Sequence, residues 1–490
     1  MTRNELEGRL RSRVKRDPLL RAIRNASDET GVPVWLVGGM IRDTALGRRV
    51  EDVDLAAGRR ASSLVRRLEV RWKRRAFRFR KRGVTTWRFR VEGRDVDLVD
   101  AGGRGIERDL LRREFTVNAM AFDLGGGPLL DPTGGLRDLR AGLLRLPRPG
   151  VVAEDPVRAL RAARFLAQLP RFRLHLSIER AAASSVRAFR RASIERVRDE
   201  VDTIVLSAAP DRGLETLERL GLLVSVLPEL QPLQECAAGL DRPNVWRHTL
   251  DALARSARPG RLPGARAVSN DPEALRVLRW ALLLHDISKP ETLAHGADRR
   301  PTFHGHETLG ARRADALLRR MLVPRSLRKR IARLVLMHLR PHHLADAGAP
   351  LRGLRRLVRD AGEDLPTLVL HAACDALASG GPDQTPRWRR LRLVLLRLIF
   401  LHEEARRDSP PPLVNGRDVM AALGIDQGPE VGRMLRRIEE LRENGRLRSR
   451  GEALRLLSAW AGEDPDRKGA NSTRNQIQEP VRSSDHRPRE

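Results

Sequence analysis

A chain of 490 residues is too long for one hydrophobic core, and 41% hydrophobic residues are enough to fill several, so two to four domains are expected. The formal net charge of +31, carried almost wholly by arginine, favours a polyanionic partner, nucleic acid ahead of an anionic membrane. Two distant cysteines, Cys236 and Cys374, exclude a disulfide framework or a cysteine zinc site. The charged start MTRNELEGRLRSRVKRD has no apolar signal core, and the longest apolar stretch, at 391–401, is short and contains arginine. No membrane partner and a reducing cytoplasm are therefore expected; the oligomeric state stays open. Tyrosine is absent and aromatics make up 3%, so nucleic acid is expected to meet arginine planes and phosphate contacts rather than an aromatic platform.

In chain order, residues 4–29 read as one amphipathic helix leading into a buried strand from Val32 to Val37. Segments rich in β-formers continue to about residue 100, and GGG at 125–127 and Asp131-Pro-Thr-Gly-Gly135 add turns. After Asp155-Pro156 helical periodicity runs to about residue 460 with almost no β-pattern. The fold class is α+β: a small mixed sheet with helices, then an extended all-α body. Residues 257–272 have linker composition, SPPP at 409–412 marks another break, and the polar stretch 462–490 reads as a disordered tail.

The first chemical signal is Val37-Gly-Gly-Met-Ile-Arg-Asp43, where a strand gives way to a helix. Gly38 and Gly39 let the backbone approach a ligand, and the helix start offers N–H groups to a triphosphate. Glu51-Asp-Val-Asp-Leu55 follows. On a strand Asp52 and Asp54 share one face while Val53 points to the core. Two adjacent carboxylates favour Mg²⁺, with substrate phosphates completing its shell. Two such metals would activate an attacking hydroxyl and steady a leaving pyrophosphate. A second acidic strand, Arg94-Asp-Val-Asp-Leu-Val99, offers Asp97 or Asp95 as a third carboxylate.

GGMIRDTALG, DVDL, DLLRREFTVNAMA, DPTGGLRDL and EDPVRALRAARF occur in the order found in bacterial class II CCA-adding enzymes and their poly(A) polymerase relatives, which this sequence resembles over residues 37–165. The resemblance implies a polymerase-beta-like nucleotidyltransferase head that adds nucleotides to the 3′ end of tRNA from CTP and ATP. It implies Asp52, Asp54 and Asp97 as the catalytic carboxylates and Asp52 and Asp54 as Mg²⁺ ligands. Gly38, Gly39, Arg42, Arg112, Arg113 and Asn118, with Thr116 nearby, would hold the nucleotide. Glu114 stands where the family usually has Asp. Asp155 and Arg158 would read the base, one accepting from an exocyclic amine and the other donating to a ring nitrogen. Arg161 and Arg164 follow on the same helix. The acids of Ser193-Ile-Glu195-Arg196 and Glu200 would brace it.

Nine of twelve histidines fall between His248 and His371. The order His, His-Asp, distant Asp resembles the HD phosphohydrolase superfamily, which implies His248, His285, Asp286 and Asp375 as metal ligands, with His306 and His338 as additional ones. Imidazole and carboxylate together suit Mn, Ni, Co, Fe or Zn. Lys289 would contact a phosphate. Phosphoester hydrolysis is the implied reaction, and a tRNA end bearing a phosphate or 2′,3′-cyclic phosphate fits it.

The expected divisions are a head at 1–146, a helical neck at 147–240, an HD domain at 241–408, a C-terminal helical tRNA-binding segment at 409–461 and the tail at 462–490. VRWKRRAFRFRKRG, at 70–83, departs from the signature of bacterial poly(A) polymerases, which disfavours poly(A) synthesis. The short link after Asp97, AGGRGIER, resembles that of members adding only C. Full CCA addition is the first expectation, CC addition the second. From another class, an RNA-binding HD phosphohydrolase with a non-catalytic head is the alternative.

Overall fold

The computed structural model describes residues 1–463 apart from 51, 82–83, 103–104, 238–243, 297–300, 380–384, 409–412 and 444–445. Glu51, two residues of the short link after Asp97, the SPPP break and the tail from 464 onward thus lie outside the described residues.

The expected single N-terminal helix is two, Arg3–Arg16 and Pro18–Thr30. Pro18 has no N–H to continue the first ladder, and Asp17 caps the second helix by accepting from the Leu19 N–H at 3.0 Å. Seven strands follow: β1 Val34–Val37, β2 Val53–Ala57, β3 Phe77–Lys81, β4 Val84–Val91, β5 Arg94–Asp100, β6 Ala121–Asp123 and β7 Leu129–Leu130. They form one mixed sheet in the order β3-β4-β5-β2-β1-β6-β7. Only β2 and β5 run parallel, in a register that sets Asp54 beside Asp97.

Period-two alternation decides the faces. Val53, Leu55, Trp87, Phe89, Val96 and Leu98 belong to one buried core with Ile23 and with Leu64 and Leu68 of helix Ala61–Trp72. The alternate residues, among them Asp54, Arg88, Arg90 and Asp97, point to the other face. There a small apolar cluster of Val37, Ala56, Leu110, Ala119 and Ala121 covers the sheet around β1, β2 and β6.

The body is helical, as its periodicity requires, with two short strand pairs: Leu143–Leu144 with Arg173–Leu174, and Ala294–His295 with Pro301–Thr302. The stretch expected as a linker holds helix Ala265–Ser269, with Ala265 and Val268 buried. The chain divides into two compact units, Met1–His402 and Glu403–Glu490. One continuous core runs through the first, from Leu6 to Leu401. The second has its own core, including Val419, Ile438 and Leu457. In it Asn415 starts helix Gly416–Leu423 through a capping box with Asp418, and Pro429 opens helix Pro429–Glu443.

Within the first unit, helices Ile194–Val205 and Pro272–Leu284 are joined by a buried cation. Arg279 donates to the carbonyls of Val205 (3.0 Å) and Ser207 (2.7 Å), beyond the last turn of the first helix. Burial pushes its pKa down to about 10. Beside it the Trp280 indole N–H donates to Asp202 at 2.9 Å.

Gly135 opens helix Gly135–Arg140 with its α-carbon against the Thr116 carbonyl, where a Cβ would collide with that oxygen and crowd Met120. Gly135→Ala is expected to lower stability by about 1–3 kcal/mol, the usual cost of overpacking, read as a lower urea midpoint.

Candidate active sites

Gly38 ends β1 at φ +70° and turns the chain into helix Gly39–Ala45. A side chain there would be strained and also blocked: its Cβ would lie 2.9 Å from Arg113 Nη1 and 3.0 Å from Asp54 Oδ2. The missing side chain thus leaves an acid and a base at the floor of a cleft of about 500 Å³. Of the expected residues, Gly38, Gly39, Arg42, Asp52, Asp54, Arg113, Asn118 and Arg164 line it. Asp43, Arg48, Arg49, Glu114, Phe165 and Gln168 line it too. Sequence reading did not assign Phe165 or Gln168, which follow Arg164 by one residue and four.

Burial pushes the Asp54 carboxyl above its ordinary range; Arg113 opposes the rise, and Asp97 and Glu114 add to it. Asp52, expected on the strand, instead lies exposed on the bend just before β2; with Asp54 it offers hard oxygen donors of the kind Mg²⁺ takes. Asp97, in register beside Asp54, is clasped by Arg88 through contacts of 2.7 and 2.6 Å and does not line the cleft.

The cleft wall is a relay of polar contacts. Arg42 donates to both oxygens of Asp43 and, at 2.9 Å, to Asn118 Oδ1. Asn118 Nδ2 donates to Glu114 at 3.1 Å. Burial works against ionising Glu114, yet Arg161 and Arg113 hold it below the usual range. Arg161 lies 3.8 Å from Glu114 and donates to Glu200 at 2.9 Å, and Arg164 lies 3.2 Å from the other Glu200 oxygen. Arg42 and Arg164 both approach the Phe165 ring, at 4.9 and 5.3 Å from its centroid.

Several expected residues are not brought to this wall. Asp155 accepts from Arg196 at 2.7 Å. Arg158 donates to the carbonyls of Arg112 (2.7 Å) and Val151 (3.1 Å). Neither lines the cleft, nor does Arg112, and Arg161 stands behind the lining between Glu114 and Glu200. Thr116 turns inward and donates to Asp138 at 2.8 Å. Glu200 braces helix Val157–Gln168, whereas Glu195 is exposed.

The second site is a histidine cluster. His248, His285 and Asp375 form one group able to hold a metal ion; Asp286, His306 and His338 form another. Asp286 lies between them, 3.1 Å from His285 Nε2 through Oδ2 and 3.4 Å from His306 Nε2 through Oδ1. Lys289, expected at a phosphate, is 2.7 Å from Asp286. His285, His306 and His338 each place Nδ1 within 2.6–2.9 Å of a carbonyl three residues earlier. A carbonyl only accepts, so the proton is on Nδ1, and in the neutral ring Nε2 is a lone pair aimed inward. His248 Nε2 lies 2.8 Å from Asp375 Oδ1 and 3.3 Å from His285 Nε2, whereas the His306 and His338 Nε2 atoms face each other at 3.3 Å. Two facing acceptors need a proton or a cation between them. Burial works against charging His285, but Asp286 and Asp375 carry its pKa up to about 10.

Two histidines were not assigned from sequence. His342 Nε2 lies 3.4 Å from Asp375. His371 is fully buried beside His285 and His338, and neither ring nitrogen has a hydrogen-bond partner. The spacing His371 to Asp375, four residues on one helix, was the available signal.

Comparison with known proteins defines the class. The poly A polymerase head domain matches residues 34–145, the probable RNA and SrmB-binding site of polymerase A matches 171–233, and the HD domain matches 245–379. The chain belongs to the bacterial tRNA nucleotidyltransferase and poly(A) polymerase family. It is 36% identical to the A-adding tRNA nucleotidyltransferase of Deinococcus radiodurans, over 88% of this chain and 96% of that one. It is 34% identical to the CC-adding tRNA nucleotidyltransferase of Thermus thermophilus, over 87% and 93%. The fold is also that of the Thermotoga maritima CCA-adding enzyme complexed with tRNA, with a TM-score of 0.55 at 19% identity over 94% of this chain and 98% of that one. Among the described residues no helix is long and apolar enough to cross a membrane.

Glu200 is the acid on which Arg161 and Arg164 converge. Glu200→Ala should cost about 1.5–3 kcal/mol, the range for hydrogen bonds to charged groups, and Glu200→Gln less, measured by chemical denaturation.

Proposed function

We propose that this chain adds nucleotides to the 3′ end of tRNA without a template, drawing on CTP and ATP. The observation that carries the reading is the cleft lined by Asp52 and by Asp54, the latter beneath Gly38, in a chain whose relatives are tRNA nucleotidyltransferases over nearly their full length. Asp52 and Asp54 would hold Mg²⁺, which supplies Lewis-acid stabilisation of the triphosphate. Arg42, Arg113 and Arg164 offer cationic surface to the triphosphate, and Asn118 and Glu114 are placed to meet the ribose. The 3′-hydroxyl attacks the α-phosphate and pyrophosphate leaves. Asp155 and Arg158 select the base once Arg196 and the two carbonyls release them. Asp97 supports the reacting pair from β5 when Arg88 lets it go.

The extent of addition has a second reading with its own observation. Relatives named for adding only A or only CC match most of this chain, and the link from Asp97 to the helix at Ile106–Leu111 is short. Incubation with tRNAs ending before CCA, after C and after CC, with CTP and ATP supplied separately, decides among full, C-only and A-only addition. Asp54→Asn is expected to cut incorporation at least about a thousandfold, the several kcal/mol assigned to metal-assisted transfer. Undiminished incorporation by that variant overturns the assignment.

We further propose that the histidine cluster holds a transition metal and hydrolyses phosphoesters at RNA 3′ ends. His248, His285, Asp286 and Asp375 would hold it, with His306 and His338 extending the set. Bound Mn²⁺ or Ni²⁺ would supply an activated water. Equilibrium dialysis should show metal retained by the wild-type chain and lost in His285→Ala. Chelation followed by desalting should abolish hydrolysis of a 2′,3′-cyclic phosphate terminus, while incorporation returns with Mg²⁺ alone.

A further inference from the structure

Helix Arg3–Arg16 carries Arg9, Arg13 and Arg16 on one face, since residues three and four apart are neighbours on a helix surface. With Ser12, Asp17 and Thr44 they line a depression of about 490 Å³. Among the described residues none of the three guanidinium groups is ion-paired or hydrogen-bonded. The neighbouring acids are engaged elsewhere. Glu7 faces Arg3 and Arg11, and Glu5 accepts from the Thr2 N–H at 2.6 Å. Asp17 accepts from the Leu19 N–H and, at 2.7 Å, from Arg94. Both oxygens of Asp43, next to Thr44, are taken by Arg42. Basic residues in a last turn answer the negative end of the helix dipole, which accounts for Arg13 and Arg16 but not for Arg9.

Two orphaned polar atoms belong to the same lining. Arg13 Nε is buried without a hydrogen-bond partner, and so is Thr44 Oγ1, on a residue only 8% exposed. A buried donor left unmade is costly, and like charges stacked one turn apart repel. A ligand with several anionic acceptor oxygens relieves both, and guanidinium forks match the geometry of phosphate. The row from Arg9 to Arg16 extends about 10 Å at 1.5 Å per residue, the rise of about three nucleotides and more than one phosphate needs. Thr44 also belongs to helix Gly39–Ala45, whose Gly39, Arg42 and Asp43 line the transfer cleft. Thr44 is thus about 7.5 Å along that helix from Gly39. The cleft has cations of its own for a triphosphate, Arg42, Arg113 and Arg164, so the depression suits a chain of phosphates beside the cleft.

We propose that this helix face binds the sugar-phosphate backbone of the RNA being extended, with successive phosphates on Arg9, Arg13 and Arg16 and the Thr44 hydroxyl donating to one of them. The proposal rests on the nucleotidyl-transfer reading above and adds an RNA anchor on the head, on the flank of the helix that opens the cleft.

The test is filter binding of a tRNA ending before CCA, over a salt series, by the full chain and its variants. Arg9→Gln, Arg13→Gln and Arg16→Gln together should weaken binding at least about tenfold and make the slope of log affinity against log salt shallower by about two to three. Arg21→Gln, Arg74→Gln and Arg75→Gln together remove the same charge from exposed positions elsewhere on the head and should change affinity less than about threefold. Thr44→Val should weaken binding about three- to tenfold with an unaltered urea midpoint. Equal loss in the two triple variants, or an unaltered salt slope in the first, overturns the proposal. A raised KM for CTP with RNA affinity unaltered also overturns it, and marks the depression as a nucleotide subsite. Should the first triple variant have a lower urea midpoint, Arg9→Gln and Arg16→Gln singly, at exposed positions, decide: each should take about one from the slope, and an unaltered slope overturns the anchor. Failure of the wild-type chain to extend the tRNA counts against the transfer reading and is scored apart from binding.

Discussion

The wall of the cleft converges on one shared acid. Glu200, on a helix remote in sequence from the cleft, faces Arg161 and Arg164 together. Arg161 passes the contact to Glu114, Glu114 to Asn118, and Asn118 to Arg42 beside Gly39. The cleft wall is therefore a continuous polar relay, and in a partly desolvated setting each member fixes the charge and orientation of the next. One Glu114 oxygen accepts from Asn118 Nδ2 at 3.1 Å and lies 3.8 Å from Arg161, so it joins the two halves of the relay.

The histidine cluster obeys a different constraint. Three of its rings, His285, His306 and His338, are oriented from behind by backbone carbonyls that accept from Nδ1, and the inward lone pairs of His306 and His338 are left to oppose one another. Such an arrangement is costly without a shared positive charge. The acids around it, Asp286 and Asp375, are held well below their ordinary range against burial by neighbouring cations and histidines. The two sites thus differ in kind: carboxylates and arginines at an open cleft, imidazoles and carboxylates in a buried pocket.

Much of this was legible in the sequence. The α+β order and the His-Asp signature each depend on residues close together or on a period. What was not legible depends on partners brought from afar. Asp155 and Arg158 read as a free pair, but Arg196 and the Arg112 carbonyl engage them. Thr116 sat in a substrate motif, yet Asp138 turns it inward. The single N-terminal helix failed on a local signal that was present, Pro18 after a capping Asp17. Phe165 and His371 looked like ordinary helix residues, and only packing reveals which face each presents.

Arg279 has a bearing on how the two sites are held in one unit. Its guanidinium is sealed between two helices and satisfied by carbonyls of the neck, so parting the helices would strand a cation in an apolar setting. The seam pins the helix that carries Glu200 to the helix that leads into His285, like two beams on a rivet. Any rearrangement of the histidine cluster that draws on helix Pro272–Leu284 therefore has to carry the neighbouring helix with it or break the seam.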